Sequence, residues 1–398
     1  MIYPERFANL PAYAFPRLRA LLDVHDPGGE AVHMTIGEPR HAFPPWVTDE
    51  IAAHAHLFAR YPQNEGYPEL RGAITDWVAR RYGVTLDPER QVMVLNGTRE
   101  GLYNAAMALC PESKNGKCPA VLSPNPFYQV YMVAALSVGA HPIFVPATAE
   151  TGHLPDYASL PTEMLDRTAI AYICSPANPQ GAVADKAYWR DLIALAEKHD
   201  FRIFADECYS EIYRDTPPPG ALEVAAEIDA DPARVVVFHS LSKRSNLAGL
   251  RSGFVACRDP ETIAALRQLR NYSGAPLPGP LQMAAARVWS DEDHVIENRR
   301  LYVEKFDLAD EIMQGVPGYS SPQAGFFLWL PVPDGEAACL KLWQETGVRV
   351  LPGAYLAQGE GADNPGHGYI RAAMVAPKDE FGEGLRKLRN CLYRGAEG

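Results

Sequence analysis

His239–Gly253 reads HSLSKRSNLAGLRSG and carries four serines, one lysine and two arginines. It lies between two apolar runs, RVVVF (234–238) and FVAC (254–257). Both are short, β-branched or aromatic, and read as buried strands. A buried strand ordinarily leaves its sheet through Gly, Asn or Asp. This one leaves through hydroxyls, an amine and guanidiniums, which are donors and a nucleophile rather than turn formers.

The same rhythm extends in both directions. Short apolar runs recur as QVMVLN (91–96), PAVLS (119–123), HPIFVP (141–146), AIAYICS (169–175) and FRIFAD (201–206). Amphipathic patterns alternate with them: ELRGAITDWVARRYG (69–83), EGLYNAAMALC (100–110), FYQVYMVAALSVG (127–139), DKAYWRDLIALAEKHD (185–200) and ETIAALRQLRN (261–271). Strands alternating with helices predict an α/β fold with a mostly parallel sheet of about seven strands between two helical layers. Beyond residue 285 the rhythm changes to a long charged helix (293–314), the runs GFFLWLPV, VRVLP and YIRAAMV, and two further helices. This predicts a smaller α+β domain over 286–398, joined by an N-terminal arm and segment (1–45), with the large domain spanning 46–285.

Composition excludes several classes. Of the 398 residues, 47% are hydrophobic and 22% charged, which suits a packed globular chain. The formal net charge of −12 disfavours nucleic acid and anionic membrane surfaces as partners. The seven cysteines are odd in number and form no CxxC pair, so neither a disulfide framework nor a metal site is expected. With no run of 18 apolar residues and no apolar leader near Met1, a cytoplasmic location is expected. GxGxxG after a strand, GxxxxGK[ST], HExxH and GxSxG are all missing, so dehydrogenase, P-loop and simple hydrolase readings lack support.

Ligands of open parallel sheets bind beyond the carboxyl ends of the strands. Those crests here carry Gly97, Thr98 and Arg99; Tyr128; Asn178; Asp206 and Tyr209; and Ser240, Ser242, Lys243 and Arg251. A helix opening at Gly97-Thr98-Arg99 offers free backbone N–H groups to an anion, and Ser240, Ser242 and Arg251 add donors, making a phosphate cup. Tyr128 suits stacking on a ring. Asp206 suits a protonated ring nitrogen. Lys243 among cationic neighbours suits a nucleophilic amine. His239, beside this group, reads as a structural histidine. A phosphate, an aromatic ring, a ring N–H and a carbonyl awaiting an amine together describe pyridoxal 5′-phosphate.

Seven stretches in order, YPQNEGYPELR, NGTREGL, PNPFY, SPANPQG, ADECYSEI, SLSKRSNLAGLRSG and YIRAAM, resemble the fold-type I pyridoxal-phosphate aminotransferases of class I/II. The resemblance covers essentially the whole chain. It implies that Lys243 binds the cofactor aldehyde and later shuttles a proton at the substrate Cα. Asp206 would keep the pyridine nitrogen protonated, Tyr209 and Asn178 would bond the phenolic oxygen, and Tyr128 would stack on the ring. Thr98, Arg99, Ser240, Ser242 and Arg251 would hold the phosphate, with Arg99 contributing chiefly its backbone. Arg371 would grip the substrate α-carboxylate and Gly37 would lie in a segment closing over it. Tyr61 would reach the cofactor phosphate of a neighbouring subunit, so a homodimer is implied.

The lysine loop and the segment IGEPRH look most like the bacterial N-succinyldiaminopimelate aminotransferases of lysine biosynthesis, which use glutamate to aminate N-succinyl-2-amino-6-oxopimelate. That substrate has a carboxylate at each end, so a second cation is expected, with Arg40, Arg270 and Lys378 as candidates. Aspartate, aromatic or branched-chain aminotransferases, a lyase on the same fold, and a ligand-sensing regulator are the alternatives.

Overall fold

The sheet-forming runs owe their continuous apolar character to burial on both faces. The computed structural model describes residues 5–8, 10 and 12–394. After the two-residue β1 (Val32–His33), the chain forms β2 (Val92–Leu95), β3 (Ala120–Asn125), β4 (His141–Pro146) and β5 (Thr168–Cys174). β6 (Arg202–Asp206), β7 (Val235–Ser240) and β8 (Gly253–Cys257) complete one seven-stranded sheet in the order β2-β8-β7-β6-β5-β3-β4. Side chains alternate across it: Val235 and Val237 join one buried cluster, while Val236 and Phe238 join the cluster on the other face. Such strands cannot show a polar side, because helices cover both.

Every neighbouring pair is parallel except those of β8, which runs antiparallel to β2 and to β7. The reason lies in the opening stretch. His239–Gly253 makes no crossover; it closes on itself, with Ser240 opposite Gly253 in the β7–β8 register. A parallel return would need a crossover carrying the chain back to the other end of the sheet. The closed loop instead holds Ser240, Ser242 and Arg251 beside one another.

The smaller unit contains β9 (Phe327–Pro331), β10 (Val348–Arg349), β11 (Leu351–Pro352) and β12 (Tyr369–Ala373). β11, β12 and β9 form an antiparallel sheet, and β10 pairs in parallel with β1. The N-terminal segment is bound further to this unit by the Ala373 N–H, which donates to the Met34 carbonyl at 2.8 Å. The run VRVLP is therefore two short strands serving two different partners.

Two local readings are revised. The helix expected from Phe127 begins at Gln129, which leaves Phe127 and Tyr128 ahead of it, with Tyr128 in extended backbone. A helix at Gly279–Ser290 had no counterpart in the sequence pattern. Its Gln282, Ala284, Ala285, Ala286, Val288 and Trp289 are all buried, so it has no polar stripe to reveal its period. This helix spans the division drawn at 285/286, and Ala284–Ala286, Val288 and Trp289 pack in the large-domain core. No helix among the described residues is long and apolar enough to cross a membrane.

Candidate active site

Strand order creates the cleft. From β3 the chain goes outward to β4 and then returns to the opposite side of β3 to form β5. The connections diverge there and leave a crevice at the carboxyl ends. Tyr128 follows β3, Asn178 follows β5, Asp206 ends β6 and Lys243 follows β7. All four line one cavity of about 300 Å³, together with Thr98, Arg99, Tyr209, Gly37 and Arg371. A smaller cavity of about 160 Å³ shares Thr98, Arg99, Tyr128 and Lys243 with it and adds Ser240, Ser242 and Arg251.

The smaller cavity is built for an anion. The helix Thr98–Leu109 points its N-terminus there, with Gly97 before it at φ 81°. The positive φ favours glycine at 97, and a Cβ there would also meet Nη2 of Arg251 at 2.1 Å and push the guanidinium aside. Arg251 has φ 58°, a left-handed conformation uncommon outside glycine. It donates to the carbonyls of Ala248 (2.8 Å) and Asn96 (3.2 Å), which fixes its head group. The Ser242 N–H donates to Ser240 Oγ at 3.1 Å, and the two hydroxyls lie 2.9 Å apart. The Arg99 side chain donates through Nε to the Tyr128 hydroxyl at 2.8 Å.

Asp206 forms the opposite wall. Burial raises its pKa, while hydrogen bonds from Cys208 and Tyr131 oppose that rise. The Tyr131 hydroxyl donates to Oδ2 at 2.9 Å. Lys243 stands between the walls. Its pKa is pulled down to about 8, first by burial, with Arg371 and Arg251 adding repulsion. The cationic neighbours thus contribute less than desolvation does. Its Nζ donates to the Gly37 carbonyl.

Arg371 reaches in from β12. Nη1 donates to Asn178 Oδ1 at 3.0 Å and Nη2 to the Thr35 carbonyl at 2.7 Å. Its guanidinium lies 4.1 Å from the Phe327 ring centroid. Burial lowers its pKa to about 10, and its buried Nε has no partner among the described residues. Asn178, with its oxygen taken, keeps its amide N–H groups for a ligand. The Tyr209 ring is buried against Phe326 and Phe327. A Cβ on Gly37 would lie 2.5 Å from the Phe327 ring, so glycine lets this segment lie flat on the small unit.

A family profile described as "Aminotransferase class I and II" matches residues 30–383. The chain belongs to the class I and II aminotransferases. It is 32% identical over 396 residues to the LL-diaminopimelate aminotransferase of Dehalococcoides mccartyi, covering 97% of this chain and 98% of the relative. A crystal structure of an aminotransferase from Neisseria meningitidis superposes with a TM-score of 0.91 at 39% identity, covering 96% and 98% of the two chains. A probable N-succinyldiaminopimelate aminotransferase from Thermus thermophilus gives 0.83 at 26% identity, covering 95% and 100%.

Aminotransferases of this class depend on pyridoxal phosphate. The residues present fit that group: a cup of helix-start amides, serine hydroxyls and the Arg251 guanidinium, a buried carboxylate, and a partly buried amine lining the same cleft. Other expected residues lie elsewhere. Tyr61 is fully exposed and outside the cleft of its own chain. None of the three candidates for a second cation lines the cleft. Arg270 is buried against Glu100 at 2.7 Å, Arg40 pairs with Glu380, and Lys378 lies 3.3 Å from Glu304. Sequence position did not reveal where these long side chains turn. His239 is structural: its Nε2 lies 3.1 Å from Glu207 Oε2, and its ring stacks on Phe254.

Sequence reasoning missed three positions in the aminotransferase site. Tyr131 looked like helix core. Asn298, on the helix Asp293–Met313, bonds His41 Nδ1 at 2.9 Å and donates to the Lys243 carbonyl at 3.4 Å. Asn246 donates to the Ala42 carbonyl at 3.2 Å. The two asparagines tie the segment after Gly37 down beside the lysine loop, and nothing in their spacing announced it.

Proposed function

We propose that this aminotransferase moves an amino group between glutamate and a long oxo-acid with a carboxylate at each end, N-succinyl-2-amino-6-oxopimelate. The transamination chemistry rests on one observation: a partly buried lysine shares one cleft with a buried carboxylate and a buried guanidinium that has a vacant donor. Bound pyridoxal phosphate supplies an electron sink for the bonds at the substrate Cα. The chain supplies the rest. Ser240, Ser242, Arg251 and the amides at Thr98 and Arg99 would hold the phosphate. Asp206 would accept a hydrogen bond from the ring nitrogen and favour its protonated form, Asn178 and Tyr209 would donate to the phenolic oxygen, and Tyr128 would cover the ring. Lys243 would supply the amine that holds the cofactor aldehyde and would move the proton at the substrate Cα, a role that its lowered pKa favours near neutral pH. Arg371 forks onto the α-carboxylate and sets the orientation of the Cα–H bond.

Support for a second substrate carboxylate comes from Arg99. It shares the cleft with Lys243 and Arg371, and its Nε donates to the Tyr128 hydroxyl at 2.8 Å, which holds its charge at that cleft. The succinyl form is supported by the lysine-loop likeness and by the Thermus thermophilus neighbour. A second reading, with unblocked LL-diaminopimelate, is favoured by the names of the curated relatives. The test is a panel of succinyl-blocked and free substrates, assayed by rate with glutamate and 2-oxoglutarate. The proposal expects the blocked acid to give the highest kcat/KM. Preference for the free compound selects the second reading, and preference for aspartate or aromatic acids rejects both. Because Tyr61 is exposed, we further infer a homodimer in which it reaches the partner's phosphate, checked by sedimentation and by the pyridoxal phosphate affinity of Tyr61→Phe.

A further inference from the structure

Asp206 sits in a demanding place. It is buried, no lysine or arginine among the described residues pairs with it, and a buried carboxylate without donors favours its neutral form. His239, on the neighbouring strand, is already engaged by Glu207 at 3.1 Å. Asp206 receives the Tyr131 hydroxyl at Oδ2 at 2.9 Å, the Cys208 N–H at Oδ1 at a longer 3.4 Å, and the Cys208 thiol, a weaker donor than a hydroxyl.

The tyrosine is held from every side. It is the third residue of the helix Gln129–Ser137, three positions after Tyr128, and is fully buried. Its ring stacks on Tyr172 with centroids 4.4 Å apart and an interplanar angle of 10°. Tyr172 is in turn anchored by its hydroxyl, which donates to the Leu102 carbonyl at 2.7 Å. Tyr128 meets Tyr131 edge-on at 5.8 Å. One helix start therefore supplies both the ring-covering side chain and the group that grips the carboxylate, and Tyr131 also lines the cleft.

We propose that Tyr131 is a positioning residue: its hydroxyl fixes Asp206 as an ionised, aimed carboxylate, leaving the remaining lone pairs to accept the pyridine N–H of the cofactor. Tyr131 acts on the reaction through Asp206 alone. The stacked ring sets the direction of the O–H, and the O–H sets the plane of the carboxylate.

This inference rests on the transaminase reading, and the experiment separates the two. Apoprotein is titrated with ¹⁵N-labelled pyridoxal phosphate, and the pyridine nitrogen shift and the Kd are read for wild type, Tyr131→Phe, Asp206→Asn, the double variant and Tyr172→Phe. Tyr131→Phe removes one oxygen and keeps the stacked ring. Its nitrogen signal should move toward the unprotonated position. Its Kd should rise about tenfold, as expected for one lost bond to a charged group. Its kcat should fall while KM stays nearly constant. On the Asp206→Asn background the same change should add little, and Tyr172→Phe should leave the nitrogen signal where it is. The inference is overturned if Tyr131→Phe leaves shift and Kd at wild-type values, if its effect is as large without Asp206, or if Tyr172→Phe moves the signal equally. Wild-type protein that binds no pyridoxal phosphate would overturn the transaminase reading as well.

Discussion

The two ends of the cleft are built differently. The end proposed for the phosphate and ring nitrogen is made where strands stop: β6 ends in Asp206, Lys243 follows β7, and a helix N-terminus and a closed loop border the smaller cavity. The substrate mouth is made where separate pieces meet, with Gly37 from the N-terminal segment and Arg371 from the smaller unit. The first end is fixed by the sheet itself. The second depends on how an irregular segment lies against another unit. In the proposed reading the chemistry belongs to the half built on the sheet, and choice of substrate to the half that loops assemble.

The comparison can be broken most severely at Lys243. Lys243→Ala should keep the fold, bind pyridoxal phosphate without a covalent link, and lose turnover by about 10⁴-fold, the upper range for a general acid–base group. Retained turnover would remove Lys243 from the chemistry. Asp206→Ala comes next. Without the charge opposite the ring nitrogen, kcat should fall by about 10²-fold, comparable to losing a preorganised electrostatic group, and cofactor affinity should weaken. Normal kinetics would make Asp206 structural.

At the mouth the signature should change from kcat to KM. Arg371→Lys keeps a charge but cannot fork onto a carboxylate, so KM should rise about 30-fold at nearly constant kcat. An unchanged KM would move the substrate carboxylate elsewhere. The smallest effect concerns pH. The folded-state pKa of Lys243 lies below its ordinary value, at about 8, so its neutral amine accumulates as pH rises through that point. The rate at which apoprotein captures pyridoxal phosphate should therefore increase about tenfold from pH 7 to pH 9. A rate that falls over this range would contradict the assignment of Lys243 as the capturing amine.

The difference between the two ends also explains what was legible in the sequence. Asp206 and Lys243 could be read because a strand's period locates its end and ionisable residues there have few structural uses. The seven strands were readable for the same reason, although the antiparallel setting of β8 was not, since apolar runs carry no direction. Tyr131 was hidden because an aromatic residue inside a helical pattern looks like core, and here it is core that also donates a hydrogen bond. The helix Gly279–Ser290 was hidden because burial removed its polar stripe. Arg270 was offered for the substrate and is instead held by Glu100, because the backbone position of an arginine does not determine where its head group lands.

The central claim is that one amine in this chain takes the cofactor aldehyde. Reduction of the reconstituted protein with borohydride, followed by peptide mass spectrometry, tests it directly. The account predicts a single pyridoxyl group on the peptide containing Lys243. A label on any other lysine, or colourless protein with no label at all, would contradict it.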